Sequence, residues 1–132
     1  MAASFLEDPY VVAHPENLPF WEAAEQGSLL GKRCESCAEF HWHPRTLCPF
    51  CGSLRTQWAP LSGHGKLYAF STLRRARVPY TVAYVQLDEG PILLTQLVDA
   101  GDVEPTIGMP VTVVFHRTEE GRCAPRFTPR PQ

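Results

Sequence analysis

The feature that most constrains this chain is a pair of Cys-x-x-Cys knuckles, Cys34-Glu-Ser-Cys37 and Cys48-Pro-Phe-Cys51, separated by ten residues. Each tight turn aims two sulfurs at one point, and two facing turns set four sulfurs at the corners of a tetrahedron. Zinc takes that geometry, with Zn–S distances of about 2.3 Å. Gly52, directly after the second knuckle, suits the left-handed backbone such a turn needs. Cys34, Cys37, Cys48 and Cys51 are therefore expected to hold a structural Zn2+. Two disulfides are the first rival; an intracellular chain with an odd fifth cysteine, Cys123, disfavours them. A redox pair of the thioredoxin type is the second, and its motif would be single and set in a βαβ unit. Iron in a rubredoxin-like site is the third. Cys48-Pro-Phe-Cys51-Gly52 suits it, but Ala38 stands where the first knuckle would carry glycine. A closed four-sulfur sphere has no open position for water or substrate, so the metal is expected to staple rather than catalyse.

The rest of the chain reads as mainly β. Its 132 residues are 44% hydrophobic and 20% charged, which suits a folded protein, and 13 prolines with nine glycines argue for short strands and frequent turns. Three segments are expected: an N-terminal helical arm over 1–28, a zinc ribbon over 29–60 and an OB-fold β-barrel over 61–132. In the arm, Asn17 caps a short helix, Pro19 suits its first turn, Phe20, Trp21 and Ala24 share one face, and Gly27 stops it. Strands are expected at Lys66–Thr72, Thr81–Leu87, Ile92–Val98 and Val111–Phe115, from their β-branched and aromatic content. Asp88-Glu89-Gly90-Pro91 is a turn between two of them. Thr81–Leu87 is apolar on both faces, as a central strand would be. Gly63 and Gly65 mark a bend or a close backbone approach. Pro125 to Gln132 is expected to form a last edge strand or a loose tail. Four or five short strands are what a small closed barrel requires.

Charge and motifs narrow the function. Twelve Lys and Arg against 14 Asp and Glu give a net charge of −2, without the basic excess that drives phosphate neutralisation in nucleic-acid binders. No apolar run is long enough to span a membrane, and the first residues lack a secretory pattern, so a soluble cytoplasmic protein is expected. No nucleophile motif, paired carboxylates or phosphate-binding glycine loop is present. Arg74, Arg75 and Arg77, in the stretch Leu73–Tyr80, offer guanidinium groups that grip phosphate bidentately, against the alternative of a solvated basic loop. Lys32, Arg33, Arg45 and Arg55 are expected to screen the negative zinc–thiolate cluster. Trp21, Trp42 and Trp58 are expected in the core or as contact anchors. His41 and His43 are expected at the surface or beside the cluster, and Cys123 as a buried free thiol.

The order of these features resembles the zinc-ribbon/OB-fold family known as domain of unknown function thirty-five. The resemblance runs from Leu18 to about Phe127. It rests on Pro19-Phe20-Trp21, Cys34-x-x-Cys37, Pro44-Arg45-x-x-Cys48-Pro-x-Cys51-Gly52, Gly63-x-Gly65, Pro79-Tyr80, Val85-x-Leu87-Asp88-x-Gly90 and Ile107-Gly108-Met109-Pro110-Val111. Ala38 departs from the family's frequent glycine. The resemblance implies a non-catalytic partner of thiolase-fold enzymes: thiolases, hydroxymethylglutaryl-CoA-forming complexes, polyketide acyltransferases, or the thiolase-like aldolases of steroid side-chain degradation. It also implies acyl-CoA as the molecule served, and Arg74, Arg75 and Arg77 are then expected, from their own chemistry, to help hold the CoA phosphates. A single-stranded nucleic-acid binder is the alternative, and an iron electron carrier a third class.

Overall fold

The computed structural model describes residues 4–41 and 47–130. Trp42, His43 and Arg45 lie outside the described residues, as do the expectations attached to them. The chain forms two compact units, Met1–Leu61 with Phe115–Pro125, and Ser62–Val114 with Arg126–Gln132.

The first unit opens with short helices. A 3-10 turn at Phe5–Glu7 leads into α1, Pro9–Ala13, where the Asp8 carboxylate accepts from the Tyr10 N–H and Pro9 occupies the first turn. A second 3-10 turn at Pro15–Asn17 precedes α2, Leu18–Glu25. Asn17 stands at the expected cap position, but its side chain makes no capping bond. Phe20, Trp21 and Ala24 are buried together, as their spacing predicts. Gly27 ends the helix at φ 76, with Gly27 N–H donating to Ala24 C=O and Ser28 N–H to Ala23 C=O. That pairing is a Schellman close.

Two arginines of the 115–125 segment hold this arm. Arg122 donates to both carboxylate oxygens of Asp8 at 3.0 and 3.2 Å, and its backbone N–H adds a third bond. Its guanidinium lies 5.1 Å from the Tyr10 ring centre and 5.9 Å from that of Trp21. Arg117 meets Glu25 through two bonds of 2.9 and 2.6 Å. Planar guanidinium and carboxylate groups match in this geometry.

The ribbon sheet has the order β2-β1-β3, with β1 Leu30–Cys34, β2 Phe40–His41 and β3 Thr56–Pro60, all antiparallel. Gly31 lets the Leu61 side chain lie close against β1, since a Cβ there would stand 2.9 Å from Leu61 Cδ1.

Five strands close a barrel in the order β4-β5-β6-β8-β7: β4 His64–Leu73, β5 Tyr80–Leu87, β6 Ile92–Leu97, β7 Pro110–Arg117 and β8 Cys123–Pro129. The β6–β8 pair is parallel, through Leu97 and Phe127. Leu67, Val85, Leu87, Leu93, Val111 and Phe127 are each at most 2% exposed and form the lumen core. Burying one such side chain stabilises by about 1.5–3 kcal/mol. Gly65 allows β4 to cross β5 closely, since a Cβ there would stand 2.5 Å from the Gln86 carbonyl oxygen.

Two strand expectations change. β5 is apolar along both faces, but only Ala83, Val85 and Leu87 face inward; Tyr84 is exposed. In a barrel this small each strand has one lumen face, so its second apolar face is an outer surface. The last strand begins at Cys123 and is no edge: it lies between β6 and β7 with Phe127 fully buried. Its prolines, Pro125 and Pro129, made it read as an edge or tail.

Candidate metal centre

The two knuckles are built to one backbone pattern. The Ala38 N–H donates to Cys34 C=O at 2.8 Å, and the Gly52 N–H to Cys48 C=O at 2.9 Å. The Cys34 N–H donates to Glu39 C=O at 3.0 Å, and the Cys48 N–H to Ser53 C=O at 2.9 Å. Both turns close through a left-handed residue, Ala38 at φ 66 and Gly52 at φ 77. The first knuckle therefore keeps its turn without glycine. β1 delivers Cys34 from its last position, and the Ser36 and Ser53 hydroxyls, 2.8 Å apart, join the two turns.

The four sulfurs lie within 4.8 Å of one another and are the one metal-capable cluster of His, Cys, Asp and Glu among the described residues. Cys34 Sγ stands 3.6 Å from Cys51 Sγ, and Cys37 Sγ 3.8 Å from Cys48 Sγ. A tetrahedron with 2.3 Å zinc–sulfur bonds has an edge of about 3.8 Å. All five cysteines are free, so no disulfide competes.

Backbone amides face every sulfur. The Cys37 and Ser36 N–H groups point at Cys34, Glu39 N–H at Cys37, Phe50 N–H at Cys48 (3.4 Å) and Ser53 N–H at Cys51. Such dipoles favour thiolates. Without metal the cluster cannot hold four negative charges. The Cys37 amide leads in pulling Cys34 down to about 6. The Ser53 amide pulls Cys51 the same way, but Cys34, burial and the other sulfurs outweigh it and push that thiol up to about 12. Cys37 is also raised: burial and the sulfurs of Cys48 and Cys34 outweigh the Glu39 amide. A divalent cation resolves this conflict by taking all four as thiolates, releasing protons as it binds. The donor set and its spacing fit zinc, which here would hold the two knuckles together.

Of the cationic residues expected to screen the cluster, Lys32 and Arg55 have partners of their own, Arg33 is exposed, and Arg45 lies outside the described residues. Lys32 lies 4.5 Å from the Trp58 ring centre, and burial lowers its pKa. Arg55 pairs with Glu35 at 3.3 Å, and at 71% side-chain exposure that bond contributes little. His41 is buried rather than superficial. Trp21 is buried edge-on against Tyr10 and Phe20, as a core residue, and Trp58 is half-buried beside Lys32. Cys123 lies outside the cluster and is half-buried. Burial pushes its thiol up, Glu25 adds to that and Arg117 opposes it. Arg74, Arg75 and Arg77 are exposed in the loop between β4 and β5, with no hydrogen bond or ion pair to any described residue. The Asp8–Arg122 clasp escaped the sequence reading. Asp8-Pro9 is a helix-start signal, but nothing local connects it to a residue 114 positions away.

Comparison with known proteins accords with this geometry. A profile described as "ChsH2, rubredoxin-like zinc ribbon domain" matches residues 21–56, and "ChsH2, C-terminal OB-fold domain" matches 58–116. A DUF35 domain-containing scaffold protein of Methanocaldococcus jannaschii is 35% identical over 104 residues, covering 73% of each chain. The chain belongs to the DUF35 family. A second relative is the benzoylsuccinyl-CoA thiolase subunit BbsA of Thauera aromatica, 31% identical over 106 residues, 72% of this chain and 74% of that protein. The solved Ltp2-ChsH2(DUF35) aldolase matches at a TM-score of 0.72 and 33% identity, covering 86% of this chain and 93% of that one. A probable enoyl-CoA hydratase alpha subunit of Thermomonospora curvata is 31% identical over 126 residues, 92% of this chain; the DUF35 chain spans 40% of its length. The DUF35 zinc ribbon thus carries four clustered cysteines able to hold a metal ion. No helix among the described residues is long and apolar enough to cross a membrane.

Proposed function

We propose that this chain is a non-catalytic, zinc-stapled accessory subunit of a thiolase-fold enzyme, a thiolase, acyltransferase or thiolase-like aldolase, and serves acyl-CoA chemistry. Steroid side-chain degradation is one pathway that fits. The observation that carries the reading is the closed four-sulfur centre in a DUF35 chain whose relatives include a thiolase subunit and an aldolase component. Cys34, Cys37, Cys48 and Cys51 are the proposed zinc ligands. Segments 1–28, 29–60 and 61–132 remain the working division into arm, ribbon and barrel. Because four thiolates saturate the metal, the chain's contribution is to steady the enzyme and to hold or channel its substrate.

Arg74, Arg75 and Arg77 are the proposed CoA contacts, since three guanidinium groups without a described counter-charge suit a molecule with several phosphates. A single-stranded nucleic acid would use the same kind of loop, but the net charge of −2 opposes it.

Affinity capture from the native lysate, with mass spectrometry of the co-eluting proteins, tests the class; a thiolase-fold enzyme is the expected catch. The purified chain alone is expected to turn over no acyl thioester, and turnover by it alone would end the accessory reading. In the assembled complex, replacing all three arginines by alanine is expected to weaken acyl-CoA affinity about tenfold, at roughly 0.5 kcal/mol per exposed contact. Unchanged affinity removes the assignment.

A further inference from the structure

The outward side of β4, β5 and β6 carries an apolar surface that the barrel core does not need. In register, Tyr84 of β5 stands beside Leu94 of β6, Ile92 lies one outward position further along that strand, and Leu73 pairs with Tyr80 at the hairpin end. The register shift between Leu67 and Ala69 adds Tyr68 to the exposed side. Leu94 is 62% exposed, Tyr68 56% and Tyr84 47%. Together these six side chains present on the order of 500 Å² of accessible surface, as large as the biggest patch on a typical monomer and over half of one side of a standard interface.

Its charges say what covers it. No outward position of the three strands is acidic; Lys66 stands at one end, and the loop bearing Arg74, Arg75 and Arg77 leaves the other. A second copy, paired two-fold, would set each arginine loop against an end of mixed charge, where Lys66 stands beside the turn residues Asp88 and Glu89, rather than against an anionic surface. The groups exposed here are outward side chains of strands paired in the β4–β5–β6 ladder, so recognition works through side chains rather than an added strand. A protein surface that is apolar at its centre and anionic opposite the arginine loop satisfies both conditions.

We propose that the outer face of β4–β5–β6 is where the enzyme subunit docks, with its bound acyl-CoA at the arginine end. This rests on the accessory-subunit reading and adds to it the surface used. Tyr84 and Leu94 are its central anchors, because aromatic groups at the middle of an interface carry most binding energy.

The test uses the full zinc-loaded chain and the thiolase-fold subunit recovered by it, both recombinant, in a calorimetric titration. The double substitution Tyr84→Glu with Leu94→Glu is expected to weaken association by at least about 30-fold. Ile107→Glu, an exposed apolar position outside the face, is expected to stay within about twofold. Radical footprinting of the wild type needs no variant: Tyr68 and Tyr84 are labelled in the free chain and protected in the complex. Wild-type affinity in the double variant together with unprotected tyrosines overturns the docking face and leaves the accessory reading standing. Failure of the wild type to recover any thiolase-fold subunit overturns both. A self-dimer in sedimentation, or tight oligothymidine binding, lost in the double variant assigns the face to another occupant and overturns the proposal.

Discussion

At the scale of single residues, the two knuckles form a controlled comparison. They share their hydrogen bonds and their left-handed closing position, yet one closes with Ala38 and the other with Gly52. A Cβ at Gly52 would meet nothing within 4 Å, so the difference between them is backbone conformation and not packing. Left-handed backbone costs an L-residue about 1–2 kcal/mol, and the greater unfolded-state entropy of glycine returns part of that. Ala38→Gly is therefore expected to stabilise the zinc-loaded protein by about 0.5–1 kcal/mol, and Gly52→Ala to destabilise it by a similar amount. Urea unfolding at fixed zinc activity reads both, and shifts of the same sign would contradict the argument. The comparison also shows why the turn was legible at Gly52 and less so at Ala38. Glycine announces left-handed backbone, whereas alanine adopts it only because four sulfur positions and the ladder of β1 hold it there.

At the scale of elements, the N-terminal arm is fixed by charge as much as by its apolar face. The Asp8 carboxylate is fully buried. Burial works to raise its pKa, but the Tyr10 N–H and the guanidinium and N–H of Arg122 outweigh it, and the carboxyl titrates below its ordinary range. The folded state thus binds its proton less readily than the unfolded chain. The clasp's contribution is complete above the unfolded value, near pH 4, and is lost as pH falls through the lower folded value. Glu25, lowered chiefly by its bonds to Arg117, acts in the same direction. Asp8→Asn leaves Arg122 without its counter-charge, and with that guanidinium partly solvated the expected loss is about 2–3 kcal/mol at neutral pH. The variant should also show a shallower fall in stability between pH 5 and 2 (roughly the range in which carboxylates titrate). An acid limb parallel to the wild type's would assign the acid sensitivity to other groups. Most elements were readable because their signals are local. Phe20, Trp21 and Ala24 repeat at helical spacing, Val85 and Leu87 alternate, and the knuckles announce themselves. What was missed is non-local: the Asp8–Arg122 pair, the placement of the proline-bearing β8 inside the barrel, and the outward direction of Tyr84, which depends on barrel closure.

At the scale of the whole molecule, the two kinds of stabilisation are unequally spread along the chain. The barrel strands bury Leu67, Val85, Leu87, Leu93, Val111 and Phe127 almost completely. Between residues 29 and 60, the buried apolar side chains among the described residues are Leu29 and two of the cysteines themselves, Cys34 and Cys48. That segment therefore lacks a core that survives without metal, and zinc supplies on the order of 10–16 kcal/mol to a site of this type. Removing zinc with a chelator is expected to release the ribbon and spare the barrel. Amide exchange reads this directly. The N–H groups of Cys34, Ala38, Cys48 and Gly52, which close the knuckles, should lose protection. Those of Val85 and Leu93 in the barrel ladder should keep it, and re-added zinc should restore the first group. Simultaneous loss at Val85 and Leu93 would mean that metal and barrel fold as one cooperative unit. The same experiment separates the roles proposed for them. If the outer face of β4–β5–β6 carries the docking, the chelated chain still binds the enzyme subunit, whereas dependence of binding on zinc would move the contact to the ribbon.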